Sequence, residues 1–214
     1  TPNQNASLSG RINQQSPRKT GRPRSGVELR RLVEFTEGSK TEVGYLNHWA
    51  RLNRDRVTVA IDSVHGPPRK LVERAIRVRR DDLRESRRRD GDSKEYWCIF
   101  DRDEHSKLDE ALEMARDNEI SAVLSTPCIE LWFVLHFRNQ RAHLETKQAK
   151  SASRKLLRCA EALSSEALCE LHDRFGDARR RARQLDGWHE ANGSPPRSNP
   201  SSDVWRLIDR INEQ

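Results

Sequence analysis

Four short apolar runs, separated by stretches long enough to be helices, constrain this chain more than any other feature. They are Leu32-Val33-Glu34-Phe35-Thr36, Val57-Thr58-Val59-Ala60-Ile61, Tyr96-Trp97-Cys98-Ile99-Phe100 and Ser121-Ala122-Val123-Leu124. Each has the length and the β-branched or aromatic content of a strand. The intervening segments predict helices over residues 41–53, 70–89 and 108–118. Parallel neighbours need a crossover of about a dozen residues, so this order predicts an α/β fold with a mostly parallel four-stranded sheet flanked by helices. Beyond it, residues 128–137 are apolar nearly all round and predict a buried helix carrying Glu130, Trp132 and His136. Residues 147–184 predict further helices, with an apolar face of Ala149, Ala152, Leu156, Leu157 and Ala160. A Gly193-Ser194-Pro195-Pro196 loop then precedes a last helix over 203–211. The expected organisation is a basic tail over 1–26, an α/β core over 27–140 and a helical C-terminal extension over 141–214.

Charge is unevenly placed. Of the formal net charge of +7, Arg11, Arg18, Lys19, Arg22 and Arg24 in the tail supply five units with no acid among them. That tail is rich in Ser, Asn, Gln and Pro and poor in large apolar groups, which predicts disorder. No apolar stretch approaches the roughly 20 residues of a bilayer span, and no hydrophobic signal segment is present, so a cytoplasmic protein without a membrane partner is expected. Cys98, Cys128, Cys159 and Cys169 form no C-x-x-C pair, and reduced, mostly buried thiols are expected.

The third run stops abruptly at Asp101-Arg102-Asp103. Carboxyl ends of strands in an open α/β sheet are where ligands bind. Either aspartate alone fits helix capping equally well. Two together, with Glu37 just past the first run, outline a site of oxygen donors without an accompanying His or Cys cluster, which favours Mg²⁺ or Mn²⁺. Like charges so gathered repel one another, which predicts at least one raised carboxylate pKa and makes Glu37 a candidate general acid or base.

The motifs agree with one family in order and spacing. They are Val33-Glu34-Phe35-Thr36-Glu37-Gly38-Ser39-Lys40-Thr41-Glu42 with Tyr45, then Trp97-Cys98-Ile99-Phe100-Asp101-Arg102-Asp103-Glu104-His105. Ser125-Thr126-Pro127-Cys128-Ile129-Glu130-Leu131-Trp132 through His136-Phe137 follows, and last comes the Asn199-Pro200-Ser201-Ser202 turn. With these residues the chain resembles the RloB family, whose core is a Toprim-type, Rossmann-like domain related to those of topoisomerases, primases and OLD nucleases. The resemblance implies that Glu37, Asp101 and Asp103 hold Mg²⁺ for phosphodiester chemistry. It also marks Lys40, Glu42, Arg102, His105, Ser125 and Glu130. Lys40 or Arg102 would neutralise phosphate charge, Glu130 would be a further metal ligand, and His105 would cap or line the site. For Glu42 the alternative is charge compensation at a helix N-terminus. His136 reads as a hydrogen-bonded core histidine, and Trp132, Phe133 and Phe137 read as core.

Residues 69–94 hold eleven basic residues against six acids. Arg77, Arg80, Arg84, Arg87 and Arg88 make that helix a candidate nucleic-acid track, with an ordinary solvated face as the equal alternative; Arg179, Arg180, Arg181 and Arg183 carry the same ambiguity. The expected activity is a metal-dependent nuclease, with nucleic acid, DNA or RNA, as partner. The resemblance further implies a bacterial anti-phage or restriction-linked setting beside an ATPase. Two rivals stand: a nucleic-acid-binding or regulatory subunit without cleavage, and a phosphodiesterase or nucleotidyltransferase directed at nucleotides. Self-association into a homo-oligomer is left open.

Overall fold

A computed structural model describes residues 29–89, 94–102, 107–159 and 162–213. In chain order the elements are β1 (Arg30–Thr36), α1 (Thr41–Leu52), β2 (Val57–Ile61), α2 (Pro68–Arg89), β3 (Lys94–Asp101), α3 (Leu108–Asp117) and β4 (Ser121–Thr126). They continue with α4 (Ile129–Phe137), α5 (Thr146–Leu157), α6 (Ser165–Asp173), α7 (Phe175–Ala191), β5 (Ser201–Ser202) and α8 (Trp205–Asn212). The expected basic tail lies outside the described residues. No helix among the described residues is long and apolar enough to cross a membrane.

The sheet order is β2-β1-β3-β4-β5. β1 pairs in parallel with β2 on one side, Glu34 opposite Ile61, and with β3 on the other, Thr36 opposite Ile99. β3 in turn pairs in parallel with β4, placing Asp101 opposite Ser125. The sheet thus has five strands where the sequence predicts four. β5 runs antiparallel to β4, with Ser125 opposite Ser202 and Thr126 opposite Ser201. A two-residue strand has no period to detect, and residues 199–202 read as a turn. What holds it is local chemistry: Ser125 Oγ and Ser202 Oγ lie 2.8 Å apart, and Asp203 N–H donates to Leu124 O at 3.0 Å. Asp203 also accepts from Leu124 N–H and pairs with Arg197 at 3.0 Å.

Side chains alternate across the pleat, so each strand feeds two cores. Leu32, Trp97, Ile99 and Val123 enter the larger one, filled by α1 and by α4 through α8. Phe35, Tyr96, Cys98, Phe100 and Leu124 enter the smaller one, covered by α2 and α3. β3 is buried on both faces, which is why its sequence is continuously apolar rather than alternating. The helices that follow residue 141 share the larger core with the sheet, and this stretch also supplies β5.

α4 is the buried centre of that larger core. Ile129 and Leu131 through His136 are all buried, and Glu130 and Phe137 are half-buried. Trp132 Nε1–H donates to Tyr45 Oη at 2.9 Å. His136 Nδ1–H donates to Trp132 O at 2.8 Å, and burial pushes its pKa down to about 3. It is therefore a neutral core histidine, as its apolar neighbours indicate. Arg181 donates to the carbonyls of Leu135 and His136 at 2.7 and 2.9 Å, satisfying the C-terminal end of α4. Arg179 pairs with Asp209, Arg180 with Asp177, and Arg183 lies 5.7 Å over the Trp205 ring. The basic cluster on α7 is thus occupied in holding the fold. Of the cysteines, Cys98 and Cys128 are buried, Cys159 is half-buried and Cys169 is exposed.

Candidate metal centre

The sheet reverses its direction of winding between β1 and β3. α1 leaves β1 over the larger core towards β2, whereas α2 returns from β2 over the smaller core to β3 on the other side of β1. The carboxyl ends of two strands that wind apart leave a crevice, and an open α/β sheet binds its ligand there. Glu37 sits one residue past β1, and Asp101 is the last residue of β3. The two meet: Asp101 N–H donates to Glu37 Oε2 at 3.3 Å.

Two helix N-termini close the crevice. Ile129 N–H, the first of α4, donates to Asp101 Oδ1 at 2.9 Å, so a backbone dipole supports the carboxylate that β3 delivers. Glu42, in the first turn of α1, is only 8 % exposed and accepts from Gly38 N–H at 3.1 Å. Glu42 therefore meets backbone N–H groups at the start of α1, as charge compensation at a helix N-terminus would have it, and its charge also acts on Asp101. Glu130 leans in from α4, and its Oε2 is buried without a hydrogen-bond partner. The electrostatics follow from this crowding. Burial raises the Asp101 pKa well above its ordinary value, and Glu42, Glu130 and Glu37 raise it further, against the lowering effect of the Ile129 N–H. Burial also raises Glu42, with smaller contributions from Glu130 and Glu37. Burial and neighbouring Glu130 push the Cys128 thiol up, so it is no nucleophile.

A divalent cation suits this donor set. Glu130 Oε2 lacks a partner, Asp101 is half-buried among three other carboxylates, and every donor is a hard oxygen. Among the described residues no three His, Cys, Asp or Glu side chains are already grouped to hold one ion. Glu37, Asp101 and Glu130 are the side chains that would hold it. Asp103 and His105, two of the expected site residues, lie outside the described residues.

Gly38 is required by close approach. A Cβ there would lie 2.3 Å from Glu42 Oε2 and 2.5 Å from Oε1, so any side chain evicts the Glu42 carboxylate. Gly38→Ala is expected to lose about 1.5–3 kcal/mol in chemical denaturation, the range for a disrupted hydrogen bond to a charged group. Adding Glu42→Ala should recover part of that loss, and additive losses would show that the clash is elsewhere.

The remaining candidates separate clearly. Lys40 precedes α1 and lines a cleft with Glu130. Arg102 is turned away: its backbone N–H donates to Ser125 O at 2.9 Å and its guanidinium to Arg197 O at 3.1 Å. Ser125 is spent on β5 through Ser202. α2 starts at the carboxyl edge of the sheet and runs away from the site. Its Asp82 already reaches Lys94, the first residue of β3, at 2.6 Å, and accepts from Tyr96 Oη at 2.8 Å. Arg84, Arg87 and Arg88 follow Asp82 and so lie toward the opposite edge; the side chains of Arg87 and Arg88 are outside the described set. Arg69 pairs with Glu73, Arg74 with Asp62, Arg79 with Glu119 and Arg84 with Asp81, whereas Arg77 and Arg80 are exposed. The structure therefore does not bring the expected basic track together with the carboxylates. The cations it does bring there, Lys150 and Arg154 of α5, are legible in sequence only as an i, i+4 pair with no acid in the helix.

Fold and site define an α/β protein whose parallel sheet gathers carboxylates at its switch point. Residues 33–211 match the family described as RloB-like protein, which covers most of the chain. The chain belongs to the RloB-like family. No curated protein and no solved structure matches it significantly.

Proposed function

We propose that this chain is a Mg²⁺- or Mn²⁺-dependent phosphodiesterase of Toprim type that cuts nucleic acid. The observation that carries the proposal is Asp101, half-buried at the end of β3 with Glu37, Glu42 and Glu130 around it. Such a concentration of charge is unfavourable in itself, and a divalent cation relieves it. Bound there, the cation would polarise a phosphodiester and lower the pKa of its water. Glu37, Asp101 and Glu130 hold the charge that positions it, the Ile129 N–H orients Asp101, and Lys40 supplies a cation for the phosphate from the rim. The bacterial defence setting and the ATPase partner belong to this proposal by family analogy alone.

The test is cleavage of labelled DNA and RNA by purified protein with Mg²⁺, Mn²⁺ or EDTA. Removing a charge that holds the cation removes several kcal/mol of transition-state stabilisation, so Asp101→Asn and Glu37→Gln should each lose on the order of a thousandfold. Unchanged cleavage in both variants sinks the proposal. A second reading is a nucleic-acid-binding subunit without cleavage. Binding without cleavage in any metal would select it.

A further inference from the structure

α5 carries four cations, Lys147, Lys150, Arg154 and Lys155, and no acid. At about 100° per residue they fall within roughly 140° of arc, on one face of the helix. The adjoining arc holds Ala149, Ser153 and Leu157, which are buried. None of the four cations makes an ion pair with a described residue, whereas the arginines of α2 and α7 described above are largely paired. Unpaired cations on a rigid helix repel one another, which disfavours such a ridge unless an anion covers it.

The position of the ridge gives it a purpose. Lys150 and Arg154, one turn apart, line a cleft of about 290 Å³ together with Lys40, Thr41, Ser153 and Glu130. This cleft therefore sets one carboxylate of the candidate metal centre, Glu130, among three cations, Lys40, Lys150 and Arg154. A second groove of about 520 Å³ lies against α5 and is lined by Lys147, Lys155 and Arg138. A chain of phosphates entering the first groove meets Glu130 of the candidate metal centre, and the α5 cations continue the same charge into the second.

We propose that α5 is the substrate-strand platform: Lys150, Arg154 and Lys40 hold a phosphate beside Glu130, and Lys147 and Lys155 hold the strand as it crosses to the second groove. The ligand class is a phosphodiester strand, held by its backbone charge and not by its bases. This rests on the phosphodiesterase reading for the identity of the ligand, and the test is arranged so that the two can fail separately. The α2 arginines, on this proposal, are a solvated face.

The experiment is fluorescence anisotropy of short labelled single-stranded DNA and RNA with the full chain in EDTA, so that no cleavage occurs. The double variant Lys150→Gln/Arg154→Gln should weaken binding by about tenfold or more at low salt. The slope of log affinity against log salt should fall by between about one and two, the value for two lost phosphate contacts. Arg77→Gln/Arg80→Gln, with the same change in charge, should alter neither. The charge-preserving Lys150→Arg/Arg154→Lys should bind nearly as wild type, which separates charge from packing. Equal losses from both neutral double variants, loss from the α2 pair alone, unaltered binding in the α5 pair, or no binding by wild type would each overturn the proposal. If wild type binds through α5 but cleaves in no metal, the platform stands and the phosphodiesterase reading falls. If Asp101→Asn abolishes cleavage while the α5 variant binds and cleaves normally, the reverse holds. Comparing the two probes distinguishes RNA from DNA as the preferred strand.

Discussion

Asp101→Asn is expected to raise the melting temperature of the metal-free protein and to remove its response to Mg²⁺. The substitution is isosteric, and an asparagine oxygen can still accept from Ile129 N–H at the 2.9 Å contact. What disappears is a carboxylate that burial disfavours and that Glu42, Glu130 and Glu37 repel. The sign follows from the raised pKa. Above the ordinary aspartate value the unfolded chain carries this charge freely while the folded chain resists it, so neutralising it stabilises the fold near pH 7. Substitutions that relieve a strained functional site commonly yield about 0.5–2 kcal/mol. For a chain of this size each kcal/mol is about 2–4 °C in melting temperature. Wild type should instead gain stability from the cation, about 1–3 kcal/mol at ten to a hundred times its Kd. A thermal melt of both proteins with EDTA and with Mg²⁺ reads all four values. A lower melting temperature for Asp101→Asn in EDTA, or an equal Mg²⁺ shift in both proteins, would show that Asp101 is a structural residue and not a ligand.

This opposition between stability and binding explains why the site was legible from sequence and other features were not. Asp101 ends an apolar run buried on both faces, and a charge in that place has few structural uses. Crossover length makes these strands parallel, and the pairing of β1 with β3 that brings Glu37 to Asp101 is seen only in the structure. Glu42 is less legible, because an acid in the first turn of a helix is ordinary; only the Gly38 approach shows that its carboxylate is turned inward. β5 is invisible for a different reason, since two serines carry no period and their bridge depends on Asp203 reaching back to Leu124. The basic elements show a third limit. Counting charge favoured α2, with its eleven cations in and around the helix, but counting ignores partners and direction. Asp62, Glu73, Asp81 and Glu119 pair with four of its arginines, and the helix itself runs away from the site. α5 has fewer cations, but none of them is ion-paired among the described residues, which matters more.

Glu34 carries the other large effect expected. It lies in β1, in the middle of the sheet, with 0 % exposure, and neither carboxylate oxygen has a hydrogen-bond partner. It alternates with Val33 and Phe35 and so shares the side of Leu32, which faces the larger core. Burial alone raises its pKa from 4.5 to about 8. The folded chain therefore keeps the proton up to about pH 8, whereas the unfolded chain releases it above 4.5. Unfolding gives up a proton throughout that window, so this group's contribution is intact below pH 4.5 and declines as pH rises towards 8. At about 1.4 kcal/mol per pH unit the decline has a ceiling of about 5 kcal/mol. Glu34→Met, similar in length and apolar, removes the titration. Its stability relative to wild type in urea should grow by several kcal/mol between pH 5 and pH 8.5, and the two curves should run parallel below pH 4.5. Replacing a buried carboxyl that lacks hydrogen-bond partners by an apolar residue of similar volume removes an unsatisfied polar group, so the variant is expected to fold at every pH in the range. Glu34→Gln should flatten the same pH dependence but gain less, because its amide stays buried without partners. If wild type and Glu34→Met show the same pH dependence from 5 to 8.5, a cation is holding Glu34 ionised, and the carboxylate is one half of a buried pair.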